Sequence, residues 1–472
     1  MGRITVLAAV LAASAGLAVS AHATPLDDAC NGLSPSAAVC IGADKLAERA
    51  AAECRRIGQP ASRCQLPLGH QVGDGIVDAY RKTWVHRTAQ FQYGLGNGVP
   101  LRATNWLGTH NSFNSVSYPP TLSQTDSNQQ LTLPQQLDID MRSLELDVHW
   151  IHSVNANLQN AVVVCHARGP DEQNLGCTNE RLLKQVLPEL ANWLNAAGNR
   201  RQVLLLYLED ELGDPAGYAQ TVQVLDSVLK RPDGSSLIYR PRGSQITAKG
   251  CADLPLAISR DDIRRAGAQV VIVGNCRSGW ASDVFSWDDV HVESGSTPGY
   301  RAYPACDTTY SRQVYDTELV RYYEDSTWLS SAVNPTGSPD QHAAESLTPS
   351  KVAMMTACGV NLFGFDQILP DDGRIAATIW SWAQDKPSRA DGRCAVQRPD
   401  SRWVTRPCSV SHWAACSTAA GWRITQRAVP YADARRACQA LGAAFSLPRT
   451  GYDNRRLRAV ASGEVWLAYR LP

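Results

Sequence analysis

Six side chains in four short stretches have the types and spacing to do chemistry together. The segment NWLGTHNSFNSV sets His110 beside Asn111 where an apolar run gives way to polar residues. SLELDVHW carries Glu145 and Asp147 two residues apart, VVVCHA carries His166, and LLLYLED carries Glu209. Asn111, Glu145, Asp147 and Glu209 offer only oxygen donors, which suits a hard cation such as Ca²⁺ better than zinc, a metal that draws on imidazole and thiolate. Two imidazoles beside such an ion suit cleavage of a phosphodiester. One assists deprotonation of the attacking hydroxyl or steadies the phosphoryl oxygens, and the other protonates the departing alkoxide. Without an ion the acids repel one another and at least one holds its proton to higher pH. The plainer alternative for each acid is a buried ion pair, for which Arg142 is the near candidate.

Only a scaffold that ends several strands at one volume brings these groups together. The runs TNWLGTH, SLELDVHW, AVVVCHA, QVLLLYLED, AQVVIVGN, DDVHVES, VNLFGFDQ and ATIWSWA are short and apolar, and several are separated by helical patterns such as NERLLKQVLPELANWLNAAGN. Continuous apolar strands alternating with helices read as a parallel sheet, and eight of them as an α/β fold of the (β/α)8 TIM-barrel type. Chemistry in such barrels gathers at the C-terminal ends of the strands. Side chains alternate faces along a strand. That parity turns Glu145 and Asp147 inward and Leu144, Leu146 and Val148 toward the helices. It also turns His166 inward with Val162 and Val164, and Glu209 with Leu205 and Tyr207. His149 shares the parity of Glu145 but falls past the expected strand end. Phe363, Phe365 and Asp366, with Trp380 and Trp382, are placed on the last two runs, as aromatic core or as walls of a sugar pocket.

GTHNSF, SLELDVHW, VVCHARG and LLYLEDEL resemble, in order and spacing, the catalytic X region of Ca²⁺-dependent phosphatidylinositol-specific phospholipases C. The resemblance covers about Leu101 to Leu212. It implies that His110 and His166 are catalytic and that Asn111, Glu145, Asp147 and Glu209 bind Ca²⁺. The calcium-independent bacterial branch looks like His-Asp in the first motif and has an arginine in place of the metal, whereas here Asn111 follows His110. One departure is that Ala167 and Arg168 stand between His166 and Gly169. No position matches the family's inositol-phosphate-reading lysine and arginine, so the headgroup stays open.

The chain has 472 residues and a formal net charge of zero, with no polybasic run, which argues against nucleic acid as a partner. Residues 1–23 have the charged start, apolar run and Ala21-His22-Ala23 site of a secretory signal, and no later segment is apolar for long enough to serve as a transmembrane anchor. The expected location is therefore secreted or periplasmic. Fourteen cysteines fit an oxidising compartment. The pairs Cys30/Cys40, Cys54/Cys64, Cys165/Cys177, Cys251/Cys276 and Cys394/Cys408 have the spacing of local loop staples, although connectivity does not follow from sequence.

A disulfide-tied N-terminal extension is expected over 24–97, the barrel over 98–385 and a cysteine-rich module over 386–472. Cys394, Trp403, Cys408 and Cys416 resemble, in order, the closing segment of a C-type lectin-like domain. The following VPYADARRACQAL resembles the opening half of one, so the halves are in unusual order and the lectin calcium motifs are missing. A structural cap is one role for this module; a glycan or other cell-surface ligand is the partner of the other. The expected activity is cleavage of phosphatidylinositol, or a related inositol phospholipid at a membrane surface, into diacylglycerol and an inositol phosphate through attack of the inositol 2-hydroxyl. The same chemistry on another diester, or a non-catalytic surface-binding protein, are the rivals.

Overall fold

The computed structural model describes residues 74–118, 127–167, 169–177, 179–280, 283–287, 291–293, 318–324 and 347–472. The signal-like segment and the cysteines at 30, 40, 54 and 64 lie outside them. Eleven strands form the first sheet: β1 (Trp106–Thr109), β2 (Ser143–Ser153), β3 (Gln159–Val164), β4 (Leu204–Glu211), β5 (Ile238–Tyr239), β6 (Ala252–Asp253), β7 (Val270–Gly274), β8 (Phe285–Ser286), β9 (His291–Glu293), β10 (Val320–Tyr323) and β11 (Leu362–Phe365). Their order is β6-β8-β7-β4-β2-β1-β11-β10-β9, with β5 on β7 and β3 on β2. Every pairing except β2 with β3 is parallel.

The sheet curls into a barrel. Tyr207 on β4 and Tyr323 on β10 are four strands apart in the order, yet their rings lie 6.4 Å from each other. A flat sheet would hold them about 19 Å apart at roughly 4.8 Å per strand. Two cores follow. Leu205, Tyr207, Val271, Val273, Phe285 and Leu362 fill the inside. Leu144, Leu146, Val148, Leu206 and Ile272 face the helices outside. The helix Leu183–Asn195 shows why these segments are helical: Leu183, Val186, Leu187, Leu190 and Leu194 recur at helical spacing and all are buried. Pro215–Val228 starts behind Asp214, whose side chain accepts from Ala216 N.

The TIM-barrel class follows the sequence expectation, but the strand assignments need correction in three respects. AVVVCHA is not a barrel stave: β3 runs antiparallel to β2, from Val148↔Val164 to Ser153↔Gln159, because only five residues of turn separate the two and a parallel return needs a dozen or more. Val162 and Val164 therefore join the outer, helix-facing core and not the interior. ATIWSWA forms no sheet strand; Trp380 and Trp382 pack into the C-terminal module. The eight runs also left out the two-residue strands β5, β6 and β8, and the longer stave β10, where Val320 and Tyr322 are buried outward.

The C-terminal module is a seven-stranded sheet: β12 (Cys394–Gln397), β13 (Trp403–Arg406), β14 (Ser411–Thr418), β15 (Gly421–Ile424), β16 (Val429–Pro430), β17 (Ala444–Phe445) and β18 (Val465–Arg470). Disulfides join Cys394 to Cys408 and Cys416 to Cys438. In the barrel they join Cys165 to Cys177 and Cys251 to Cys276. The helix Trp84–Leu95 lies between the two units. From it Gln92 Oε1 accepts from Trp380 N, Ser381 N and Ser381 Oγ, while Phe91 meets Trp382, Trp403 and Tyr469.

Candidate active site at the barrel mouth

Register brings the acids level. Ladder pairing sets Asp147 opposite Glu209 and Glu145 opposite Tyr207, and period two sends both β2 carboxylates and Glu209 to the inner side. Carboxylate oxygens of Glu145, Asp147 and Glu209 all lie within 4.8 Å of one another. Burial pushes the Glu145 carboxyl up to about 7, with the charge of His110 opposing and that of Glu209 adding to the rise. Burial and then the charges of Glu209 and Glu145 hold Asp147 well above the ordinary carboxylate range. Among the described residues no arginine or lysine forms an ion pair with any of the three. Arg142, the partner expected for the plainer reading, instead bonds Gln202 and the carbonyls of Leu137 and Met141 and stacks on Trp193.

The turn after β1 completes the set. Asn111 has φ 44°, a left-handed conformation that asparagine tolerates better than most residues, and Ser112 is stitched to β2 by Ser112 N to Glu145 O (3.1 Å) and Glu145 N to Ser112 Oγ (2.8 Å). Asn111 N donates to Glu145 Oε2 at 3.1 Å. The Asn111 amide lies between Asp147 and His110: its Nδ2 donates to the Asp147 carboxylate oxygens, at 3.0 and 2.7 Å, and its Oδ1 accepts from His110 Nε2 at 3.2 Å. Asn111, Glu145 and Asp147 are buried and Glu209 is half-buried, and with no arginine or lysine paired to the three acids among the described residues these oxygen donors fit a hard cation such as Ca²⁺.

His110 is oriented by a residue that the sequence reading grouped with the late aromatic residues, as core or as pocket wall. His110 Nδ1 lies 3.2 and 3.1 Å from the two carboxylate oxygens of Asp366, which is fully buried just beyond β11. Burial works against a charged ring, but Asp366 and then Glu145 outweigh it and hold the His110 pKa well above its ordinary value. Asp366 is itself fixed by Glu324, whose Oε2 accepts from Asp366 N at 2.8 Å, and Glu324 and Asp372 share the buried Arg374. Parity held the signal: Phe363 and Phe365 stack on each other in the outer core, so Asp366 falls on the opposite face with Gly364.

His166 follows β3 and is reached from the β1 turn. Asn114 Nδ2 lies 3.2 Å from His166 Nδ1 and donates to Asn128 Oδ1 at 2.8 Å, and Asn128 Nδ2 donates to Asp366 Oδ1 at 3.2 Å. Thus the structure gathers His110, Asn111, Glu145, Asp147 and Glu209 directly and links His166 through two amides. His149 lies within β2, not past it; burial lowers its pKa and Nδ1 bonds Asn174. Inside the mouth, Arg321 on β10 lies 3.9 Å over the Trp287 ring, close to Tyr207 and Tyr323. Gly364 is required there, because a Cβ would strike the Tyr323 ring.

Comparison with known proteins places these residues in context. A family model described as "Rv2075c PI-PLC-like domain" matches residues 65–372. The chain is 53% identical over 473 residues to "Uncharacterized protein Rv2075c" of Mycobacterium tuberculosis H37Rv, covering 99% of this chain and 97% of that protein. "Uncharacterized protein MT2135" of the CDC 1551 / Oshkosh strain matches to the same extent. Among solved structures, the phosphatidylinositol-specific phospholipase C of Listeria monocytogenes aligns with TM-score 0.40 and 15% identity, covering 61% of this chain and 97% of that one. A variant of the Staphylococcus aureus enzyme aligns with TM-score 0.40 and 11% identity, covering 63% and 98%.

Proposed function

The chain belongs to the Rv2075c PI-PLC-like domain family, and from that premise we propose that it is a secreted or periplasmic, Ca²⁺-dependent phosphodiesterase of the phospholipase C type. Its substrate is phosphatidylinositol or a related inositol phospholipid, cleaved to diacylglycerol and an inositol phosphate. The observation that carries this reading is the convergence of Glu145, Asp147 and Glu209, two of them buried and one half-buried, at the barrel mouth facing His110.

Asn111, Glu145, Asp147 and Glu209 would hold the ion. When bound, it lowers the pKa of the attacking hydroxyl and offsets charge that develops on phosphorus. Asp366 accepts the Nδ1–H of His110, which leaves Nε2 to take the proton of the inositol 2-hydroxyl; the same carboxylate then stabilises the imidazolium. His166 contributes the second imidazole at the phosphate. The Tyr207, Trp287 and Tyr323 rings support an apolar floor under a sugar ring. A peripheral encounter with a membrane is consistent with the described residues, in which no helix is long and apolar enough to cross one. Disulfides and the signal-like start support export.

The test is hydrolysis of phosphatidylinositol vesicles followed by phosphorus NMR, with Ca²⁺ and with excess chelator. His110→Ala and His166→Ala should each reduce turnover by about 10²–10⁴. Full activity in chelator would refute the metal assignment, and no turnover of any phosphodiester, with tail-mediated binding to cells, would favour the surface-binding rival.

A further inference from the structure

Charge is divided unevenly along a chain whose formal net charge is zero. Residues 386–472 hold fifteen lysines and arginines against five aspartates and glutamates, and the residues before them carry the matching acidic excess. Each of the five acids is already engaged. Asp391 pairs with Lys386, Asp400 with Arg398, Asp433 with Arg436 and Glu464 with Arg406, while Asp453 accepts from Trp422 Nε1 and Arg449 N. Arg389, Arg393, Arg423, Arg427, Arg435 and Arg470 are exposed and form no ion pair among the described residues. No single run holds this excess; folding collects it.

The fold also sets it at one end of the molecule. The helix Trp84–Leu95 crosses beneath the barrel, where Gln90 Nε2 donates to Asp140 Oδ1 ahead of β2 and Tyr93 Oη accepts from Val203 N ahead of β4. The module packs on the far side of this helix through one face of its sheet, with Ala395, Trp403, Ala415, Val465 and Leu467. The other face, with Val396, Val404, Ala414 and Trp466, lies under the helix Tyr431–Gln439. That helix buries Ala434 and Cys438 and turns Arg435 and Arg436 to solvent. Burial pushes the Tyr431 hydroxyl up, and the charges of Arg470 and then Arg435 oppose the rise, so both guanidiniums lie near that ring. Arg393 joins them, its Nη2 donating to Leu471 O at 3.2 Å.

We propose that this outer face of the C-terminal module binds an anionic polysaccharide, its arginines gripping carboxylate or sulfate groups along the polymer and anchoring the protein with the barrel mouth turned outward. A guanidinium presents paired N–H donors that match two oxygens of either group. Charge summed over one face draws in a chain that repeats its own charge. A bilayer suits the face less well. The face points away from the barrel mouth, so a membrane held there is out of reach of His110 and the acidic cluster. Nucleic acid shares the charge, but the export that the disulfides and the signal-like start support sets the protein among glycans. Anchoring an enzyme rests on the phosphodiesterase reading; the binding itself does not.

The test measures binding of the full-length protein to alginate, which carries carboxylates, and to dextran sulfate, with neutral dextran as the control. At least one polyanion should bind and dextran should not, and the tighter of the two identifies the group that is read. Affinity should fall by about tenfold or more between about 50 and 300 mM NaCl. Arg427→Ser, Arg435→Ser and Arg470→Ser combined should weaken binding by about tenfold, with an unchanged melt and unchanged turnover of a soluble inositol phosphodiester. No binding to either polyanion at low salt would overturn the proposal, as would full binding by the triple variant. Tighter binding to phosphatidylcholine–phosphatidylglycerol vesicles or to duplex DNA than to either polysaccharide would overturn it too. Absence of turnover with polysaccharide binding intact would strike the phosphodiesterase reading alone.

Discussion

His110 Nδ1 and Asp366 Oδ2 lie 3.1 Å apart although 256 residues separate them in the chain. The parallel register of β1 on β11, with Thr109 opposite Phe365, brings their strand ends side by side. A base made in this way depends on both ends of the barrel sequence being in place.

Replacing the carboxylate tests that pair. Asp366→Asn should lower turnover by about 10²–10³, within the range for a disabled acid–base group. Asp366 raises the His110 pKa, and the base must be neutral to work. Its loss should therefore shift the rising limb of the pH–rate profile to lower pH while the plateau falls. A profile with an unmoved limb would mean that His110 does not carry the limb.

The acidic cluster predicts a linked response to cation and pH. Glu145 and Asp147 hold protons in the folded state to higher pH than in the unfolded chain. Without an ion the native state binds more protons between about pH 4.5 and 7, so stability should fall as pH rises through that window. Ca²⁺ should offset this, by about 2.7 kcal/mol at a hundred times its Kd, and its effect should fade as protons compete near pH 5. Thermal melts with and without Ca²⁺ at two pH values check both signs. Glu145→Gln, Asp147→Asn and Glu209→Gln should each blunt the Ca²⁺-induced rise.

Arg374 is buried between Glu324 and Asp372. Arg374→Met removes one side of a buried ion cluster and should cost about 3–5 kcal/mol, read by chemical denaturation. Because Glu324 bonds the backbone of Asp366, surviving protein should also lose turnover. Normal stability would show that the cluster is not held as a unit.

Cys165 is bonded to Cys177 and immediately precedes His166. Cys165→Ala with Cys177→Ala should destabilise by about 3 kcal/mol and also lower turnover, since the segment that aims His166 is released. The matching Cys394→Ala, Cys408→Ala pair should cost similar stability and leave turnover per folded molecule intact. Equal losses of turnover in the two variants would sink the idea that the first bridge aims the histidine.

Much of the site was legible because strand parity is local. Glu145, Asp147 and Glu209 fall on one face by simple alternation, and the ladder of β2 on β4 makes them meet. What was hidden depended on partners far away in sequence. Arg321 and Tyr323 sit on a four-residue stave whose apolar members, Val320 and Tyr322, are too few to stand out from the charged sequence around them. Asn114 and Asn128 look like ordinary turn residues until the fold aligns them with Asp366. His166 was expected inward as the end of a stave. It follows an antiparallel strand instead, so parity with Val162 and Val164 was no guide to its position. Trp380 and Trp382 read as barrel aromatics, but their burial comes from Trp403 and Tyr469, beyond any local pattern.

The helix bearing Gln92 has a practical result for anyone who wants the phosphodiesterase half alone. A chain stopped at residue 385 would strip Trp403 and Tyr469 from Trp380, Trp382 and Phe91, leaving a greasy indole face open to solvent. Such a fragment would aggregate in place of behaving as a minimal enzyme, and heating the intact protein should give one melting transition for both halves.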